Sequence, residues 1–210
     1  MKLIDFNIYL IGDKNIFGDE KDYLEALDKC FDSGIGAFQL RQKDISVKEF
    51  FKLGEKIRVI LKKYPDIKLF VNDRVDVALA LGAYGVHLNK NSVPISVVKE
   101  RIKGIKIFYS SHSSEEAKKA EEAGADFVTF SPIFKTKNNG FEQGTDVFKK
   151  VLKLLRIPVF ALGGINENNL SEIKGVGGCY VAVQSGILRN RDIGSAVRSF
   201  AGISTLNDIN

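Results

Sequence analysis

The stretch IPVFALGGINENNLSEIKGVGGCYVAVQSGI, residues 157–187, holds two strand signals with a helix signal between them. The run Pro158-Val159-Phe160-Ala161-Leu162 is apolar and short enough for a buried strand, and the pair Gly163-Gly164 follows it directly. Asn166-Glu167-Asn168-Asn169 then has the composition of a capped helix start. A second apolar run, Cys179-Tyr180-Val181-Ala182-Val183, ends in Gln184-Ser185-Gly186. Small residues behind a strand let backbone amides approach a bound group closely. In a parallel α/β barrel the loops after strands seven and eight commonly hold a phosphate. The same glycines would serve equally as tight βα turns, and the local pattern leaves both readings open.

Outward from this stretch, strand and helix signals alternate. Strands are expected at Phe6 to Ile11, Ala37 to Leu40, Ile67 to Val71, Gly85 to Leu88, Ile105 to Tyr109 and Asp126 to Phe130. Helices are expected at Asp19 to Ser33, Val47 to Lys63, Val75 to Leu81, Ile95 to Lys103, behind Ser113, at Thr145 to Leu155 and at Asp192 to Phe200. Ser113 with Glu116 three residues on has the pattern of a capping box. Eight βα units of roughly 25 residues predict an α/β protein built as a single (β/α)8 TIM barrel, one domain over residues 1–210. No GxGxxG follows the first strand, which argues against a dinucleotide-binding domain.

The net charge of +5 comes from lysines scattered over helices rather than from one basic stripe. A small anionic substrate fits that charge, while nucleic acid is not expected as a partner. No apolar run approaches the ~20 residues of a membrane span, and the N-terminal stretch, broken by Asp5 and Asn7, reads as a strand rather than a signal peptide. Cys30 and Cys179 form no CxxC, so reduced thiols and a cytoplasmic location are expected.

A barrel places its active site at the C-terminal ends of its strands. After strand two, alternation sends Gln39, Arg41 and Lys43 to one side, where two cations and an amide suit a polyanion. A solvated basic loop is the plainer alternative. After strand three, Asn72-Asp73 reads either as a hard-cation site or as the cap of the next helix. His87 falls within strand four and reads as a core histidine. After strand five, the Ser110-Ser111 hydroxyls could bind phosphate, and His112 has no convincing acidic partner for a hydrolytic role. The loop Ser131 to Phe141 is polar and basic, as a substrate lid or an exposed turn would be. With Thr136 on that loop, the candidates converge on one mouth.

Together QLRQK, VNDRVDVAL, GVHL, SSHSSEEA, GADFVTFSPIF, PVFALGGI and VAVQSGI resemble the thiamine phosphate synthase family, which includes the related thiazole tautomerase branch. The resemblance runs from about Phe38 to Ile187. It implies a transferase of thiamine biosynthesis that joins hydroxymethylpyrimidine diphosphate to thiazole phosphate and releases pyrophosphate. Gln39, Arg41, Lys43 and Asn72 would then hold the diphosphate, with Asp73 on Mg²⁺ as cofactor, and Arg41, Lys43 and Asp73 would carry the catalysis. Ser110 would contact the pyrimidine and Thr136 the thiazole side. Backbone groups at Gly164, Gln184 and Ser185 would hold the thiazole phosphate. A homo-oligomer is compatible with this reading.

The sequence departs from the family's pattern at two places. Ser92 stands where the synthases carry a second acidic metal ligand, and Asn139 where they carry a phosphate-binding lysine. The tautomerase's catalytic histidine would fall at Pro132, which has no ionisable group. The alternatives to a synthase are a tautomerase-like enzyme and a non-catalytic barrel that binds a thiamine-related phosphate.

Overall fold

The protein is described by a computed structural model covering residues 4–136 and 140–203. Eight parallel strands form a closed barrel in sequence order: β1 (Ile8–Ile11), β2 (Ala37–Leu40), β3 (Lys68–Asn72), β4 (Gly85–Leu88), β5 (Lys106–Ser111), β6 (Phe127–Phe130), β7 (Val159–Leu162) and β8 (Val181–Val183). Closure comes from β1 pairing with β8, Ile8 opposite Val181 and Leu10 opposite Val183. Both faces of a barrel strand are covered, so the strands read as short continuous apolar runs rather than alternating ones. This is the expected (β/α)8 barrel.

Helices α1 (Glu20–Asp32), α2 (Val47–Leu61), α3 (Val75–Ala80), α4 (Ile95–Arg101), α5 (Ser114–Glu122), α6 (Gly144–Leu154), α7 (Leu170–Gly175), α8 (Ser185–Leu188) and α9 (Ile193–Ala201) cover the outside. Asp19 and Asp192 cap α1 and α9 through their carboxylates. The full capping box belongs to α2, where Ser46 and Glu49 satisfy each other's backbone N–H. At α5 only half of the expected box forms. Ser113 accepts from the Glu116 N–H, but the Glu116 carboxylate takes the His112 N–H at 2.7 Å instead. The helix signal at Asn166 to Asn169 starts α7 late, because both asparagine amides turn back onto the Gly164 carbonyl, at 3.2 and 2.9 Å. The short α8 directly behind β8 was not anticipated by the helix periodicity, which four residues cannot display. No described helix is long and apolar enough to cross a membrane.

Two apolar cores result. Outward-facing strand residues such as Leu10, Val71, Val86 and Val128 pack beneath the helices. The barrel interior is filled with aromatic rings: Phe6, Tyr9, Phe70, Phe108, Phe127, Phe160 and Tyr180. Phe108 stacks on Tyr9 at 4.2 Å between centroids and meets Phe70 and Phe160 edge-on, each at 4.9 Å. Edge-to-face and offset contacts of this kind add to the burial of large rings. The filling stops below the strand ends, where the interior becomes polar: Gln39, His87, Thr129 and Ser131 are all buried.

Truncating the central ring, Phe108→Ala, is expected to lower unfolding free energy by about 3–5 kcal/mol. Val59→Ala on the exposed face of α2 is expected to change it by less than about 0.5 kcal/mol. Urea denaturation of both variants checks this; a Phe108→Ala midpoint equal to the wild type would show that the rings do not hold the barrel.

Candidate active site

The C-terminal mouth of the barrel opens into a cavity of about 770 Å³. Its lining includes Gln39, Arg41 and Lys43 from the end of β2, Asn72 and Asp73 from β3, Ser110 from β5 and Gln184 from β8. These seven share one space, as residues at the C-terminal ends of barrel strands should. Gly164 and Thr136, on the β7 and β6 loops, and Ser185, the first residue of α8, do not line the cavity. Residues 137–139, among them Asn139, lie outside the described residues.

The floor is a polar triangle. The Gln39 amide nitrogen lies 2.5 Å from His87 Nδ1 and 3.0 Å from the Tyr9 hydroxyl, which is itself 3.1 Å from His87 Nδ1. With the Gln39 amide assigned so that its nitrogen faces the ring, that N–H donates, Nδ1 accepts and the neutral imidazole carries its proton on Nε2. His87 is thus the core histidine expected, its ring parallel to those of Tyr9 and Phe108 with centroids 5.7 and 5.5 Å away. Burial first, then the positive charge of Arg41, pull its pKa down from an ordinary 6.5 to about 3.

Above the floor stand donors that other protein groups leave free. Neither Arg41 nor Lys43 has an ion-pair partner among the described residues, whereas Arg74 on the same rim is forked onto Asp76 at 2.9 and 2.5 Å. The loop bearing Arg41 and Lys43 is fixed by Gln42, which takes the Lys14 N–H at 3.0 Å and donates to Asn15 at 2.9 Å. Gln42 thereby staples the β1 and β2 loops. The sequence showed an amide among cations but not which neighbour it would hold.

Asp73 does not cap α3. The N-cap of that helix is Arg74, without a side-chain hydrogen bond. Asp73 instead adopts a left-handed φ of 61° and gives its N–H to the His87 carbonyl at 2.9 Å. Its carboxylate accepts from the Ser92 hydroxyl at 2.5 Å. Of the two readings that the sequence left open, the side chain is free of the capping one and turns to the mouth.

On the far side, His112 Nδ1 lies 3.0 Å from the Ser131 carbonyl and 3.2 Å from its hydroxyl, while Glu116 is occupied by the His112 backbone. No imidazole–acid pair of a hydrolase is built here. Gly163 and Gly164 have φ of 97° and 68°, and a Cβ on either would fall within 2.8 Å of the β6 loop at Pro132 or Phe134. That loop pairs with them through Phe134 N–H to Gly163 O at 3.0 Å. The close-turn reading of these glycines is therefore realised. The N–H groups that open α8 receive no side-chain cap, and the Gln184 amide nitrogen donates to Asp13 at 2.9 Å, so main-chain N–H groups and the Ser185 hydroxyl remain for a ligand there.

The depressed His87 pKa has a consequence for stability. Below about pH 6.5 the unfolded chain protonates this ring while the folded protein does not until about pH 3, so stability falls as pH drops through that window. From about pH 7 to about pH 5 the loss from this group is about 2 kcal/mol. Urea titrations at the two pH values should show that much less pH dependence in His87→Gln than in the wild type; equal dependence would contradict a neutral buried imidazole.

A sequence profile described as thiamine monophosphate synthase matches residues 8–187. The thiamine-phosphate synthase of Clostridium tetani is 35% identical over 204 residues, covering 96% of this chain and 97% of the relative. That of Fusobacterium nucleatum is 37% identical over 202 residues, covering 95% and 97%. A solved structure, thiamine phosphate pyrophosphorylase from Pyrococcus furiosus, superposes with a TM-score of 0.84 at 33% identity, covering 94% of this chain and 95% of that one. The chain belongs to the thiamine monophosphate synthase family.

Proposed function

We propose that the protein is a thiamine-phosphate synthase, a transferase that joins an aminopyrimidine methyl diphosphate to a thiazole phosphate and releases pyrophosphate. The observation that carries this reading is the pair of unpaired cations, Arg41 and Lys43, facing Asp73 across one cavity. Such a mouth has charge to place on a polyanion and no nucleophile–base pair. The reaction needs none: the diphosphate departs, the pyrimidine methylene carries the positive charge, and the thiazole nitrogen closes the new C–N bond. The protein's task is to stabilise the leaving group's charge.

Arg41 and Lys43 take diphosphate oxygens, and the free Asn72 amide donates beside them. Gln39 takes another role from the one its position suggests. Its nitrogen is committed to His87 and Tyr9, leaving the carbonyl oxygen for a ligand. An acceptor repels diphosphate oxygen and suits the amino group of the pyrimidine, with Ser110 beside it. Main-chain N–H groups at Gly164 and Ser185 are the donors for the thiazole phosphate, and Thr136 borders that side.

Mg²⁺ is the cofactor this chemistry uses. The described residues hold no group of three acidic, histidine or cysteine side chains that would cage a metal. Asp73 supplies one carboxylate, which fits a Mg²⁺ whose other ligands are diphosphate oxygens and water. When bound there, the ion neutralises charge on the departing diphosphate. Both cysteines are free thiols, Cys30 with its pKa pushed by burial to about 12, which suits the reducing cytoplasm. A tautomerase would need an ionisable side chain where this chain has Pro132.

Arg41→Ala and Asp73→Ala are each expected to lower kcat for thiamine phosphate formation by about a hundredfold or more. Their thermal unfolding should stay within a few degrees of the wild type. Wild-type turnover in either variant would overturn the site assignment.

A further inference from the structure

Asp73 is held from two sides. Its backbone is pinned by the bond from its N–H to the His87 carbonyl, 2.9 Å, in a left-handed conformation that aspartate adopts more readily than most non-glycine residues. Its carboxylate receives one side-chain contact, from the Ser92 hydroxyl at 2.5 Å. Ser92 Oγ in turn accepts the Asn89 N–H at 2.8 Å. A hydroxyl has a single proton, and with Asn89 occupying a lone pair that proton is directed at Asp73 Oδ1. The other carboxylate oxygen is left for a ligand.

We propose that Ser92 is a positioning residue that holds Asp73 for a divalent cation and, by supplying a neutral hydroxyl instead of a charge, makes cation binding conditional on diphosphate. This rests on the synthase reading and deepens it. A bare cation entering the mouth meets the half-occupied Asp73 carboxylate beside three cations without an ion-pair partner among the described residues, Arg41, Lys43 and Lys90. Of the other carboxylates around it, Asp76 is neutralised by Arg74 and Glu116 is bonded to the His112 N–H; Asp44 sits on the loop of Arg41 and Lys43. Like charges lining the same cavity oppose the bare cation's entry. Diphosphate reverses the balance, neutralising Arg41 and Lys43 and contributing the oxygens that a hard cation needs. Metal and diphosphate therefore arrive as one unit, and the free protein holds little metal.

The test reads metal binding directly, with Mn²⁺ as the probe and its electron paramagnetic resonance signal reporting the free ion. For the wild-type protein, Mn²⁺ alone should bind at least about tenfold more weakly than Mn²⁺ with inorganic pyrophosphate, after correction for the complex free in solution. Ser92→Ala should weaken the pyrophosphate-linked binding by about tenfold, and Ser92→Thr, which keeps the hydroxyl, should restore it. Ser92→Asp, with a second carboxylate, should bind Mn²⁺ alone at least about tenfold more tightly than the wild type. Wild-type binding that is equally tight without pyrophosphate, or Ser92→Ala binding equal to wild type, would overturn the proposal. Thiamine phosphate formation, assayed separately, distinguishes the two levels: the stated binding pattern without product would leave the role of Ser92 standing and sink the synthase reading.

Discussion

The structure depends on aromatic rings filling the inside of the barrel. Eight strands of three to six residues close a cylinder whose lower interior is occupied by Phe6, Phe70, Phe108, Phe127, Phe160 and Tyr180, with Tyr9 as the uppermost ring. Packed interiors leave no room for solvent, so polar side chains are tolerated only where the filling ends. The Tyr9 hydroxyl marks that boundary, and Gln39 and His87 bond to it. The site is the first polar layer that the rings permit, and its orientation is inherited from them: a rigid floor fixes the Gln39 amide, and a fixed amide offers its oxygen to the ligand.

Above that floor the chemistry is one of charge placed without neutralisation. Several cations elsewhere on the protein close on carboxylates: Lys99 and Lys106 on Asp126, Lys56 on Glu20 and Lys63 on Asp28. At the mouth Arg41 and Lys43 stay unpaired on a loop that Gln42 braces. Leaving two cations unsatisfied lowers stability slightly and prepares a strong site for a polyanion, since the field needs no rearrangement when charge develops on a leaving group.

Much of this was legible in the sequence, for reasons particular to the fold. Barrel strands are short, apolar and punctuated by glycine, so all eight could be read, and the end-of-strand rule then gathered Gln39, Arg41, Asn72, Asp73 and Ser110 at one mouth. What the sequence could not decide was orientation. Whether Asp73 caps α3 or faces the cavity turns on a φ of 61° and on a bond to the carbonyl of a residue one strand away. The exchange of partners at Glu116 depends equally on backbone that a residue pattern does not describe. Gln39 stood in line with two cations and invited a shared role, but its amide is claimed by Tyr9 and His87, contacts 30 and 48 residues distant in sequence. The box at Ser46 and Glu49 was within reach of the pattern that singled out Ser113 and Glu116.

The measurement that bears most directly on the account is a product balance for the purified protein, made with both substrates and with each omitted in turn, in the presence and absence of Mg²⁺. A site built to expel diphosphate and pass the pyrimidine to a second bound ring predicts pyrophosphate and thiamine phosphate in equal amounts, and neither when one substrate or the metal is withheld. Pyrophosphate released without the thiazole phosphate and without thiamine phosphate, or no turnover with all components present, would contradict it.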